Sequence, residues 1–199
     1  MDIVPETEDV RIQRSRAALQ QALFALSIEK GFTAVTVRDL TQRAQVNRST
    51  FYRHYLDKYD LLNQYFDQLQ AQVVQAAASA EKASNSAPER VPAGLLLLVH
   101  HVQEYAAFYQ VMLGPHGDPA FMHRFRQLPE QRYRLLFARS SRAAAPQEPP
   151  AALQLQYISY AFVGAMLWWL ENAQPVPTEQ LAIWLGQLSM TTAGLPRGG

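Results

Sequence analysis

Three features of the chain predict an all-α fold. Apolar residues recur at helical spacing in nearly every segment, and no segment alternates convincingly at strand spacing. Proline and glycine gather in clusters that divide the chain into helix-sized pieces. Threonine, asparagine and aspartate stand where those pieces should begin. The expected layout is about nine helices: a three-helix unit over 10–57, a larger helical region over 58–190, and flexible tails at 1–9 and 191–199.

The elements follow in order. Arg11–Lys30 makes the first helix, apolar at Ile12, Leu19, Leu23, Phe24 and Leu26, and Gly31 is a common helix stop. Thr36 with Asp39 forms a capping-box-like pair that opens a short helix over 37–44. Gln45 and Val46 make a brief gap, and Asn47 caps a third helix over 48–55. Asp57 caps a long fourth helix over 58–83, which the polar, proline-containing stretch 84–92 closes. Residues 93–113 read as one helix and 114–118 as a loop. Pro119–Leu128 and Pro129–Ala144 read as two helices, each with proline in its first turn. Pro146, Pro149 and Pro150 mark a boundary before an uncharged, apolar helix, Ala151–Asn172. Pro175 and Pro177 end it, and a last helix, Thr178–Met190, precedes a glycine-rich tail.

Composition narrows the function. Apolar residues make up 48% of 199, enough for a substantial core. There is no cysteine, which excludes disulfides, thiolate nucleophiles and cysteine-based metal sites. The net charge of +1 hides a local excess: residues 10–60 hold nine bases against four acids, while 61–199 hold nine of each. Such a patch is the footprint of phosphate contact or a solvated face. The acidic residues 1–9 are unlike a signal peptide, and the apolar stretch ending at Leu170 opens with prolines and holds glutamines. A cytoplasmic protein with no membrane association is expected, its apolar helix buried in part by a partner subunit.

The most informative constellation is the pair of short helices within 36–58. Leu40, Ala44, Val46, Phe51 and Tyr55 make an apolar hub that sets the angle between the helices, leaving Arg48, Ser49, Tyr52 and Arg53 outward. These are donors for base edges and phosphates in a helix-turn-helix arrangement. Elsewhere no nucleophile, base and orienting partner come together, and no glycine-rich phosphate loop occurs. His100 and Glu104 fall four apart, but no third ligand is evident, and adjacent His101 faces another side. No catalytic residue, metal or cofactor is expected. The alternatives to a DNA-binding regulator are an all-helical enzyme and a non-specific architectural protein.

The run Thr36-Val-Arg-Asp-Leu-Thr-Gln-Arg-Ala-Gln-Val-Asn-Arg-Ser-Thr-Phe-Tyr-Arg-His-Tyr-Leu-Asp-Lys-Tyr-Asp-Leu-Leu62 resembles the signature of TetR-type transcriptional regulators. Val46, Asn47, Phe51-Tyr52, His54-Tyr55 and Asp57-Lys58 match its pattern in order. The chain departs from it at Gln45, where the family has glycine, and at Thr41, where alanine is common; Gln45 must then adopt a left-handed backbone. Two later patches, 108–121 and 164–172, resemble the subgroup related to regulators of dihydroxyacetone kinase operons.

The resemblance implies a dimeric repressor on a pseudo-palindromic double-stranded DNA operator, released by a small-molecule effector, with the dimer made by the last two helices. It places Arg48, Ser49 and Thr50 in the major groove beside their cap Asn47, with Arg48 the base reader. It places Tyr52, His54, Lys58, Thr36 and Arg38 on phosphates, and leaves Arg53 facing phosphate or solvent. A pocket is expected among the bulky side chains of the second half: Tyr105, Phe108, Tyr109, Met112, Phe121, Phe137, Tyr160, Met166 and Trp168. Ordinary core or dimer packing is the competing reading for each.

Overall fold

The computed structural model describes residues 5–83, 93–115, 117–139 and 149–192. Among them are nine α-helices, one 3-10 turn and no strand. In order they are α1 (Pro5–Lys30), the 3-10 turn (Phe32–Ala34), α2 (Val37–Arg43), α3 (Arg48–His54), α4 (Lys58–Ala83), α5 (Ala93–Glu104), α6 (Ala106–Leu113), α7 (Pro119–Arg139), α8 (Ala151–Glu171) and α9 (Thr178–Thr192). The expected turn at 84–92, the boundary at Pro146 and the glycine-rich tail lie outside the described residues.

Helices α1 to α3 close around Leu19, Leu23, Leu40 and Phe51, all fully buried, with Tyr55 beside them. The 3-10 turn lets α2 fold back on α1, and Gly31 makes that possible: its φ of 79° is a left-handed conformation that glycine adopts without strain. Helix α4 leaves this unit and packs on α5 and α7. Gly94 permits the close approach of α5, since a Cβ there would lie 2.7 Å from the carbonyl oxygen of Val73. Helix α7 packs on α8, and α9 on both α5 and α8. The same core continues into the larger region as a stack of rings and long aliphatic chains: Phe108, Tyr109, Met112, Phe121, Phe125, Phe162, Met166 and Trp169.

Four elements differ from the sequence-based expectation. Helix α1 begins at Pro5 rather than Arg11, so residues 5–9 are helical and not a tail; proline suits a first helical position. The segment 93–113 is two helices, broken at Tyr105, where φ is −112° and ψ 35°. There the Tyr105 ring meets Phe24 of α1 edge-on at 5.0 Å, and α6 turns to pack along α1. Conversely α7 runs unbroken through Pro129. A proline inside a helix forfeits one backbone bond and costs about 3 kcal/mol. Burial of Phe125, Leu128 and Tyr133 on the same helix offsets it. Finally, α9 continues to Thr192, past Met190.

The corner between α8 and α9 is unusually constrained. Ala173 and Gln174 are both left-handed, with φ of 56° and 55°. Their N–H groups donate to Leu170 and Trp169 carbonyls at 3.3 and 2.8 Å, the paired bonds of a Schellman cap. The Trp169 indole N–H donates to the Val176 carbonyl at 2.9 Å and pins the following turn.

Candidate nucleic-acid interface

The N-terminal unit is assembled from local signals. The Thr36 hydroxyl accepts from the Asp39 N–H at 3.2 Å and donates to its carboxylate at 2.6 Å, while the Thr36 N–H donates back at 2.8 Å. Lys30 donates to the same carboxylate at 2.6 Å. The ammonium of Lys30 and then the Thr36 bonds hold the Asp39 carboxyl well below the usual carboxylate range. Arg43 grips Glu29 with two parallel bonds of 2.8 and 2.7 Å, tying the end of α2 to α1.

The turn between α2 and α3 is a second Schellman cap. Gln45 has φ 54°, as its position requires, and Val46 donates to the Thr41 carbonyl at 3.0 Å. Val46 and Ala44 pack on the hub of Leu40, Phe51 and Tyr55. That packing leaves one face of α3 in solvent. Arg48, Ser49 and Arg53 are exposed, as is Asn47, and Tyr52 is 49% exposed; Thr50 is half-buried. Arg48 donates to the Tyr52 hydroxyl at 3.3 Å, and its guanidinium lies 5.5 Å from the centre of that ring. The two side chains therefore present one cationic, hydrogen-bonding surface. Asn47 caps α3 in backbone geometry, but its side chain makes no capping bond. Arg38 is exposed on α2. His54 is half-buried, and burial, then Arg16 and Arg53, lower its pKa.

Lys58, expected on a phosphate, has partners within the chain. Its ammonium donates to the carbonyls of Phe32, Thr33 and Val35 at 2.8, 2.8 and 2.9 Å. All three N–H donors are thus committed inside the protein. The residue clamps the first turn of α4 to the 3-10 turn instead of standing free for a phosphate. Thr36, expected on a phosphate, likewise has its hydroxyl committed to the capping box.

Two family descriptions match the chain: "Bacterial regulatory proteins, tetR family" over residues 20–65, and "Transcriptional regulator C-terminal region" over 89–190, just over half of its length. The chain belongs to the TetR family. Both descriptions are of transcription regulators, and the first covers the helix-turn-helix. The HTH-type transcriptional regulator YxbF of Bacillus subtilis (strain 168) is 25% identical over 178 residues, which are 87% of this chain. The chain spans only 44% of that relative's length. A TetR regulator from Streptococcus agalactiae 2603V has the same fold, with a TM-score of 0.63, 22% identity, and coverage of 92% of this chain and 98% of that one. The dihydroxyacetone kinase operon activator DhaS superposes with a TM-score of 0.61 and 19% identity, covering 89% of this chain and 94% of that one. DhaS is one of several such neighbours, so the likeness gives the family and not the subgroup.

In this TetR-family chain five of the side chains expected to line a pocket are buried and two are exposed. Phe108, Tyr109, Met112, Phe121 and Met166 are buried against other side chains, and Phe108 stacks on Phe24 at 4.1 Å. Tyr105 is half-buried at the α5–α6 break. Tyr160 and Trp168, also expected to line it, stand on the outer face of α8, exposed by 58% and 45%. The Phe137 side chain lies outside the described residues. Rings fill space efficiently and meet edge-on, so their density signals a core as readily as a cavity. A cavity of about 300 Å³ does occur elsewhere, lined by Gln70, Gln127, Glu130 and Arg134. The two glutamines and Glu130 do not stand out in the sequence, because amides and an i,i+4 ion pair look like any solvated helix face.

Two further features escaped sequence reading. Tyr65 hydrogen-bonds to His101 inside the bundle, and burial pushes the His101 pKa down to about 4. His100, considered with Glu104 as a metal pair, instead faces Glu179 of α9 at 3.7 Å. No group of three or more metal-ligating side chains occurs among the described residues. Nor is any described helix long and apolar enough to cross a membrane.

Proposed function

We propose that this chain is a ligand-responsive repressor that binds a pseudo-palindromic operator as a C₂ dimer, one half-site per subunit. The observation that carries the reading is the outward face of α3, where Arg48 and Tyr52 act as a unit beside Asn47, Ser49, Thr50 and Arg53. Arg48 reads a base, and Tyr52, Arg53, His54 and Arg38 hold phosphates.

The dimer is made by α8 and α9. Leu153, Tyr157, Tyr160 and Trp168 project from one side of α8 and Trp184 and Leu188 from α9, all exposed in the single chain. Gly164 lies on the same side of α8 with nothing within 4 Å of where a Cβ would be. So large an apolar face belongs against another surface. A small-molecule effector acts by preferring one spacing of the two α3 helices, since a ligand with equal affinity for both states shifts nothing.

The deciding experiment is selection of bound duplexes from a random pool by the full-length chain. Recovery of an inverted repeat supports the reading. Retention of all sequences alike, with strong salt dependence, would replace it with non-specific DNA binding.

A further inference from the structure

Arg16 lies on α1, before the segment that matches the family's DNA-binding description, which begins at residue 20. It precedes Leu19 by three positions and Leu23 by seven, so it shares the face of α1 that packs into the hub. The residue is half-buried, and its Nε is enclosed without a hydrogen-bond partner. Native structures rarely leave such a group unpaired.

The end of α3 stands across from it. Burial first, then the charge of Arg16 and then that of Arg53, disfavour the protonated form of His54. Arg16 also acts on Tyr55, where it opposes the rise that burial gives the phenol. Arg16, Arg53 and His54 therefore gather at one corner between α1 and α3. No ion pair among the described residues involves Arg16 or Arg53. Along α1 the neighbours one turn away are Ile12, Gln13, Leu19 and Gln20, none of them acidic. The two carboxylates at the start of α4 are occupied. Asp57 accepts from the Asp60 N–H at 2.8 Å, and Asp60 accepts from the Leu56 N–H at 2.9 Å and the Gln64 amide at 3.2 Å.

Like charges gathered without an acid repel one another, and a counter-anion relieves them. The position of the corner says which anion that is. Residue 54 closes the helix whose outer face carries Arg48 and Tyr52, and a helix in the major groove has backbone phosphates along its flanks. We propose that Arg16 is a DNA-phosphate contact, closing with Arg53 and His54 a clamp on the strand that borders the groove, so that α1 takes part in binding from outside the helix-turn-helix. The inference rests on the DNA-binding reading above and adds to its site a residue from another element. Arginine suits the task, since its planar fork meets phosphate with two parallel bonds and it never loses its charge.

The test is anisotropy titration of the full chain against the selected operator and a scrambled duplex, from about 50 to about 200 mM salt. Arg16→Gln is expected to weaken both duplexes by the same factor and to lower the salt slope by about one per subunit. With two such contacts per dimer, the variant's deficit shrinks about tenfold across that range. Arg16→Met, which keeps the packing of the stem, should give the same slope as Arg16→Gln. Arg16→Lys, which keeps the charge, should restore the wild-type slope. Arg14 is exposed and two positions away, on another face of α1, so Arg14→Gln should leave the slope alone. An unchanged slope in Arg16→Gln overturns the proposal. So does an equal fall in Arg14→Gln, which would be an effect of net charge. A second readout needs no DNA. In the free protein, magnetic resonance titration of His54 should show a higher pKa in Arg16→Gln, because one of the cations facing it has gone. An unmoved His54 would place Arg16 away from α3 and would also overturn the clamp. The two readings fail separately: an operator recovered by selection, with the slope of Arg16→Gln unchanged, sinks Arg16 alone, and a wild type that binds no duplex sinks both.

Discussion

The ammonium of Lys58 donates to the carbonyl of Phe32 at 2.8 Å and lies 4.8 Å from the centre of the same residue's ring. Two further carbonyls, of Thr33 and Val35, complete its bonding, so one side chain at the start of α4 holds three backbone carbonyls of the connection into α2. Lys58→Met should therefore destabilise the chain by about 1.5–3 kcal/mol, the scale of hydrogen bonds to a charged group. Urea unfolding measures it. Operator titrations on the folded variant should keep the wild-type salt slope. A slope lower by about one per subunit would return Lys58 to the phosphates.

Arg48→Ala should weaken operator binding by about 1–3 kcal/mol and flatten discrimination at one base pair per half-site. Tyr52→Phe should reproduce part of this loss, because the Tyr52 hydroxyl accepts from Arg48 and orients it. Titrations on operator and scrambled duplexes check both. Equal loss on the two duplexes would make Arg48 a phosphate contact.

The pKa of His101 falls from an ordinary value of 6.5 to about 4 because burial disfavours its charged form. Tyr65, Tyr105 and Tyr109 surround the ring, and Glu104 only partly opposes the shift. The unfolded chain therefore binds the extra proton first. Stability conferred by neutral His101 is whole above pH 6.5 and declines as pH falls toward 4, with a slope approaching about 1.4 kcal/mol per pH unit. Urea unfolding at pH 7, 6 and 5 should show this decline in the wild type and a shallower one in His101→Gln. Parallel curves would remove His101 from the acid response.

Gln45 occupies a left-handed position where its Cβ is strained. Gln45→Gly should stabilise the chain by about 0.5–1 kcal/mol, the relief of that strain less the added freedom of the unfolded glycine. Gln45→Val should destabilise it. Thermal melts of the pair check the sign, and a lower midpoint for the glycine variant contradicts the assignment.

Trp168→Asp and Leu188→Asp each place a charge on the exposed apolar face of α8 and α9. Sedimentation equilibrium of the wild type at micromolar concentration should give about twice 22.5 kDa. Each variant should approach the mass of one chain while retaining its helical signal. A dimer that tolerates both charges lies on some other face.

The sequence made legible what local rules govern. The Thr36–Asp39 box and the hub of Leu40, Phe51 and Tyr55 follow from spacings of a few residues, and the left-handed Gln45 from the family resemblance. What it concealed depends on the partners that distant segments bring. Lys58 looked like a free cation because the carbonyls that hold it lie more than twenty positions earlier. Pro129 looked like a start, and only the buried neighbours along α7 keep the helix running through it. Tyr105 carries no breaker signal; its ring against Phe24 of α1 accompanies the break. Phe108, Tyr109 and Phe121 are interior while Tyr160 and Trp168 are exposed, a difference that composition does not carry, and interior packing and pocket lining have one composition.

The corner at Ala173 and Gln174 has a mechanical consequence. Two adjacent left-handed residues without glycine form a stiff bracket, since each has few other backbone states within reach. Glycine there would relax the strain and also let α9 swing. The bracket exchanges about 1–2 kcal/mol per residue for a set angle between two helices. Any copy of this chain that docks on that pair meets a preformed surface and has little hinge motion to freeze. Association through it should therefore be fast to lock and slow to release, and the distance between the two DNA-reading ends should be governed by how α4 tilts, with the bracket as the fixed point.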